Sequence, residues 1–255
     1  MGAQQHDGMA DFATEEHRLR RELAAAFRLA ALFGWDDHVA THMAARLPDG
    51  TFLLNPFGLM FEEITASSLM RMDMAGNVLE IPEGLMLNPA AFGVHSAVLG
   101  GRADAGCSIH FHSRDGVAVS ALKEGLLPLS QNALNICMDV AYHEYEGVVD
   151  AAREAQTLRH DLGDKHLMIL RNHGTLALGR SIASAFYRIY SLEWACTAQV
   201  RTLSMGRELV MPAPDATAAM VQVQNPGWVD NFAENRFWPA MLRKARRDCP
   251  GFDDL

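Results

Sequence analysis

At 255 residues, 49% hydrophobic and 21% charged, the chain has the balance of an ordinary globular protein, with room for one well-filled core or two small ones. A formal charge of −9 excludes general nucleic-acid binding, which needs clustered cations; the one basic cluster, Arg243, Lys244, Arg246 and Arg247, reads as a solvated helix face. No apolar run approaches the roughly 18 residues needed to cross a bilayer, and Met1–Glu16 lacks a secretory-signal pattern, so the expectation is a cytoplasmic protein with no membrane partner.

Residues 1–13 are small and polar without periodicity, and are expected to be a disordered leader. From Thr14 a helix is predicted, because Leu19, Leu23, Ala26, Phe27, Leu29, Ala30 and Phe33 fall on one stripe at helical spacing, with Gly34 as its left-handed cap. Val39–Leu47 and Thr51–Leu54 read as strands around the turn Pro48-Asp49-Gly50, and Met70–Met74 with Val78–Ile81 as a hairpin. Ala90–Leu99 reads as a helix closed by Gly100-Gly101.

The second half alternates in the same way. Gly106–His112 is a predicted strand, Asp115–Leu122 a helix, Ile136–Tyr142 a strand and Val149–Leu162 a helix. Two strands follow, Leu167–Leu170 and Thr175–Leu178, and then the longest helix, Ile182–Met205, with Ser181 as its N-cap. Pro212–Pro226 reads as a small-residue linker and Gly227–Asp248 as an aromatic-rich helical tail. The organisation expected is therefore a leader over 1–13, one α/β domain over 14–211, and a linker with helical tail over 212–255. Hairpins mixed with helices point to a largely antiparallel sheet. Neither a GxGxxG nor a P-loop is present. The four cysteines are scattered without a CxxC pair and read as reduced thiols, and the fourteen methionines as core filling.

The sharpest chemical feature is Ser108-Ile109-His110-Phe111-His112. On a strand, residues i and i+2 project to one face, so both imidazoles can converge on one ion while Phe111 packs on the other side. Later comes Arg171-Asn172-His173-Gly174, at the turn between two predicted strands, where Gly174 lets the chain swing His173 towards a neighbouring strand. Three neutral imidazoles leave a divalent ion with its full charge and an open position, which suits a catalytic site. By itself the pattern fits either such a site or three histidines engaged in ordinary hydrogen bonds.

Several motifs in order resemble the class II aldolase/adducin family over about residues 17–205. They include Leu32-Phe33-Gly34-Trp35, Asn55-Pro56-Phe57-Gly58, Ile64-Thr65-Ala66-Ser67-Ser68, Ile109-His110-Phe111-His112, Leu126-Leu127-Pro128-Leu129-Ser130-Gln131, Asp139-Val140-Ala141-Tyr142 and Arg171-Asn172-His173-Gly174. The resemblance implies a three-layer α/β/α domain around an antiparallel-rich sheet, usually a homotetramer with active sites between subunits. It also implies one divalent metal ion on His110, His112 and His173, zinc first, with iron, manganese or nickel as alternatives.

The departures from the family's sugar-phosphate enzymes carry the functional expectation. Their acidic residue, nineteen positions before the first histidine of the pair, is here Ala91, which exchanges no proton. Their phosphate-binding Gly-Asn, Thr-Gly and Ser-Ser pairs correspond to Thr41-His42, Phe57-Gly58 and Pro89-Ala90. A phosphate dianion needs several hydroxyl or N–H donors, so the expected substrate is a non-phosphorylated, aromatic or apolar hydroxy or oxo acid. The expected function is a metal-dependent carbon–carbon lyase, by decarboxylation or retro-aldol cleavage. His42 and Tyr142 are the candidate acid/base residues, and Gln131, Phe57 and His95 the candidate substrate contacts. Two alternatives remain: an iron(II) oxygenase built on the same three histidines, and a non-catalytic scaffold like an adducin head. Adducins continue into a long neck and a charged tail; this chain is expected to lack them, which weighs against the scaffold.

Overall fold

A computed structural model of the chain describes residues 2–147, 151–215, 219–220 and 225–254. Helix α1 spans Gly2–Phe33, so it takes in residues 2–13 that were expected as a leader. The apolar stripe begins only at Leu19, but no proline precedes it, and nothing stops the helix from propagating N-terminally. Then come β1 (His42–Arg46), β2 (Phe52–Leu54), β3 (Met70–Met72), β4 (Val78–Glu80), α2 (Pro89–Gly101), β5 (Cys107–Phe111), α3 (Arg114–Ser120) and α4 (Gln131–Leu134). They are followed by β6 (Val140–His143), α5 (Ala151–Leu162), β7 (Leu167–Leu170), β8 (Gly174–Gly179) and α6 (Ile182–Ser204). At the C-terminal end, α7 (Pro226–Phe232) continues through a π turn over Ala233–Phe237 into α8 (Trp238–Asp248).

The helix starts follow the capping chemistry. Asn88 caps α2 by accepting from the Ala90 N–H at 3.0 Å, with Pro89 at the first helical position. Ser181 caps α6 and exchanges hydrogen bonds with Ser184, as a polar residue before an apolar run does. Two expectations shift. The strand expected over Ile136–Tyr142 begins only at Val140, after a 3-10 turn over Cys137–Asp139, and it extends to His143. The first residues of the helix expected from Val149, and part of the linker expected over 212–226, lie outside the described residues.

Among the described residues the strands form one eight-stranded sheet in the order β4-β3-β2-β1-β5-β8-β7-β6. Every pairing is antiparallel except β6 with β7. Alternation divides the sheet into two faces. Met43, Ile109, Ala177 and Ile169 pack towards α1 and α6; Ala44, Leu176, Met168 and Ala141 pack towards α2 and α5. This is the three-layer α/β/α architecture expected, with β5 fully buried at its centre.

Candidate metal centre

His110 lies on β5, on the face that packs towards α2 and α5, and His112 follows just past the strand end. His173 arrives from the turn joining β7 to β8. Asn172 there takes φ of +56°, a left-handed conformation that asparagine tolerates, and this carries the chain sharply back. Gly174 then runs so close to β5 that a Cβ would collide with the Phe111 carbonyl and sit 3.2 Å from the His112 ring. The glycine therefore lets the third histidine close on the first two. The ring centroids are 4.7–4.8 Å apart pairwise, and one nitrogen from each lies within 4.8 Å of the others.

Hydrogen bonds fix which nitrogens face inward. His110 Nδ1 donates to the Thr175 carbonyl at 2.9 Å, and His112 Nδ1 donates to Asp37 Oδ2 at 3.2 Å. Each ring therefore keeps a lone pair on Nε2, and those two Nε2 atoms face one another at 2.9 Å. Two lone pairs at that distance need a cation between them. A proton is a poor candidate, because burial holds His110 well below the ordinary imidazole value and lowers His112, the latter partly offset by Asp37. Burial, with His112 and His143 nearby, takes His173 down to about 4. Neutral imidazoles are the form that ligates a metal, and tetrahedral Zn–N bonds would set the nitrogens about 3.3 Å apart. The three residues fit a divalent ion. Asp37 and the Thr175 carbonyl are the outer partners that orient such ligands.

Beside the cluster, His42 is the register partner of His110 across β1 and β5. Its Nδ1 lies 2.9 Å from His95 Nε2, and His95 Nδ1 lies 2.6 Å from Ser108 Oγ, so a buried relay of three side chains runs away from the site. His95 was expected to touch substrate; it is fully buried with both ring nitrogens engaged, so it backs His42 instead. Ala91 is fully buried in the apolar layer with Phe52, Leu54 and Met70.

Tyr142 does not reach the cluster. It packs on the α1 and α6 face, its hydroxyl accepts from the Leu126 N–H at 3.0 Å, and Arg171 lies over its ring. One residue of strand parity separates it from His143, which turns to the α2 and α5 face of the sheet and meets Asp161 of α5 at 2.8 Å. The phenol near the cluster is Tyr145, whose exposed ring stands edge-on to His173 at 6.1 Å. Sequence reasoning missed it because it lies beyond the strand end, where no periodicity marks direction. Gln131 is also elsewhere: it lines a cavity of about 460 Å³ with Asp139, His166, Arg188 and Trp228, at the N-terminal ends of β6 and β7. The histidines gather at the opposite ends of those strands. Phe57 is at the correct end, in the loop after β2 that Asn55 ties to the backbone of Thr41 and Met43. It is partly exposed and bridged to Met86.

A family model described as the class II aldolase and adducin N-terminal domain matches residues 21–200. The crystal structure of an aldolase II superfamily protein from Pseudomonas syringae is 43% identical, covers 94% of this chain and 96% of that one, and superposes with a TM-score of 0.86. An L-fuculose 1-phosphate aldolase from Glaciozyma antarctica PI12 is 29% identical over 93% of each chain, with a TM-score of 0.79. Alpha-adducin of Mus musculus is 45% identical over 193 residues, which are 74% of this chain and 26% of that protein.

Proposed function

The chain belongs to the class II aldolase and adducin family, and on that footing we propose that it is a metal-dependent carbon–carbon lyase. Its substrate would be a non-phosphorylated hydroxy or oxo acid with an aromatic or otherwise apolar body. The observation that carries this reading is the pair of Nε2 lone pairs of His110 and His112 at 2.9 Å, with both Nδ1–H groups committed elsewhere and His173 closing the third side.

His110, His112 and His173 would hold the ion, zinc by preference and otherwise iron, manganese or nickel. Bound there, a divalent cation supplies positive charge against the electron density left on a substrate oxygen when the carbon–carbon bond breaks. The rest falls to side chains. His42, with Nδ1 held by the His95–Ser108 relay, offers Nε2 to a substrate carboxylate or a transferable proton. Tyr145 brings a phenol to the solvent side of His173. Phe57 and Met86, both exposed, give the rim an apolar surface suited to the body of the substrate.

The likeness to L-fuculose 1-phosphate aldolase supports lyase chemistry; the departures support a different substrate. His42 and Phe57 occupy positions where phosphate-binding residues are expected, and Ala91 sits in an apolar layer where the acid is expected. The chain is further proposed to act as a cytoplasmic homo-oligomer, a tetramer by family resemblance. The test is a screen of the metal-loaded protein with 2-oxo acids and hydroxylated aromatic carboxylates for release of carbon dioxide or aldehyde. Efficient turnover of fuculose or ribulose phosphates instead would reject the substrate class. Oxygen consumption coupled to turnover of iron-loaded protein alone would replace the lyase with an oxygenase.

The likeness to alpha-adducin favours a second reading, a scaffold without turnover. Binding to actin filaments by a chain inactive towards the whole panel would establish it.

A further inference from the structure

Beneath the histidine cluster, on the α6 side of the sheet, lies a carboxylate that the proposed chemistry does not use. Glu193 on α6 is 1% exposed. Its Oε2 accepts from the Ser113 hydroxyl and its Oε1 from the Thr175 hydroxyl, both of them also buried. On the α3 side the packing is tight: a Cβ on Gly116 would sit 3.0 Å from the Thr175 methyl and 3.3 Å from Glu193 Oε1.

The two hydroxyls belong to the two chain segments that carry the ring ligands. Ser113 directly follows His112 and caps α3, accepting from the Gly116 N–H at 3.0 Å. Thr175 is two residues past His173, and its backbone carbonyl is the group that holds His110 Nδ1 at 2.9 Å. Thr175 and Phe111 are register partners across β5 and β8. One carboxylate therefore ties the end of the His110–His112 strand to the start of the strand that His173 leads into. It also fixes the residue whose carbonyl selects the His110 tautomer.

Burial raises the Glu193 pKa to about 7, against the lowering effect of its two hydroxyl partners. A carboxylate buried among neutral partners is a costly tie, and an apolar side chain of similar size would serve packing alone at lower cost.

We propose that Glu193 is a positioning residue of the metal centre, setting the separation of β5 and β8 and the orientation of the Thr175 carbonyl behind His110. This rests on the metal-binding reading of the three histidines. It is the role of an outer partner at a metal site, reached through Ser113 and Thr175 rather than by contact with a ligand.

The test is cobalt(II) titration of the metal-stripped full chain, reading dissociation constant, visible absorption spectrum and thermal midpoint of the metal-free protein. Wild type is compared with Glu193→Leu, Glu193→Gln and Thr175→Val, with His110→Ala as control. Glu193→Leu is expected to weaken cobalt binding by roughly 10–100-fold and to change the absorption bands in a chain that still folds, its metal-free midpoint lowered by the Ser113 and Thr175 hydroxyls left without an acceptor. Glu193→Gln, which keeps the shape and one acceptor, falls between, and Thr175→Val gives a partial loss. Wild-type affinity and spectrum in Glu193→Leu overturn the proposal. If that variant fails to fold, wild-type behaviour of both Glu193→Gln and Thr175→Val overturns it equally. Should His110→Ala bind cobalt as wild type does, the metal reading itself falls and this proposal with it; loss in the control with none in the Glu193 variants defeats only the positioning role.

Discussion

His42 and His110 face each other across the antiparallel β1–β5 pair, with ring centroids 5.0 Å apart and planes tilted by 43°. The contact joins the three-histidine cluster to the buried His42–His95–Ser108 relay, and it places an imidazole where the family's sugar-phosphate enzymes are expected to hold phosphate.

The relay makes the metal-free fold sensitive to acid. Burial, then the neighbouring His110, takes His95 down to about 3, and burial holds His42 well below its usual value. Both folded-state values lie below the unfolded one, so their stabilisation is fully present above about pH 6.5 and is lost as pH falls. For His95 alone the loss between pH 7 and pH 5 is about 2 kcal/mol. Urea unfolding at the two pH values should show it, and His95→Gln should reduce the difference; equal stability at both would contradict a neutral buried relay.

Glu193 titrates in the opposite sense. Its folded value, about 7, is above the carboxylate value of an unfolded chain, so its contribution is complete below about pH 4.5 and is lost as pH rises through 7. Wild type should lose on the order of 3 kcal/mol relative to Glu193→Gln between pH 5 and pH 8. Parallel stability curves for the two proteins would place the carboxyl in a more polar setting than its burial indicates.

The two tyrosines at the end of β6 should separate cleanly. Tyr142→Phe leaves the Leu126 N–H without its acceptor and should cost about 1 kcal/mol of stability with turnover intact. Tyr145→Phe, on an exposed ring, should leave stability within about 0.5 kcal/mol and lower turnover by roughly 100-fold or more. The reverse pattern would return the phenol role to Tyr142.

Restoring the family's acid should not restore its activity. In Ala91→Glu a carboxyl enters the apolar layer shared with Phe52, Leu54 and Met70, which should cost at least about 3 kcal/mol. The thermal midpoint should drop with no gain of sugar-phosphate cleavage. A stable variant that cleaves fuculose phosphate would show that the substrate reading is mistaken.

Strand periodicity made part of this site legible. The i, i+2 spacing of His110 and His112 and the Asn-His-Gly turn at His173 follow from local backbone rules, and so does the Ser181 cap of α6. What stayed hidden depends on long-range partners: Asp37 lies 75 residues from His112, Thr175 lies 65 from His110, and Glu193 lies 80 from Ser113. No spacing within the chain marks them. Tyr142 illustrates a subtler limit. The strand was expected to run from Ile136, but a 3-10 turn delays it to Val140, and nothing in the alternation tells which face the tyrosine takes. Gln131, on a four-residue helix, is too local to reveal that its cavity opens at the far end of the sheet.

The central claim, that three imidazoles bind one divalent ion, is tested most directly by elemental analysis of the purified chain beside a His110→Ala, His112→Ala double variant. The account predicts about one divalent ion per wild-type chain and none above background in a folded double variant. Equal metal content in the two proteins would contradict it.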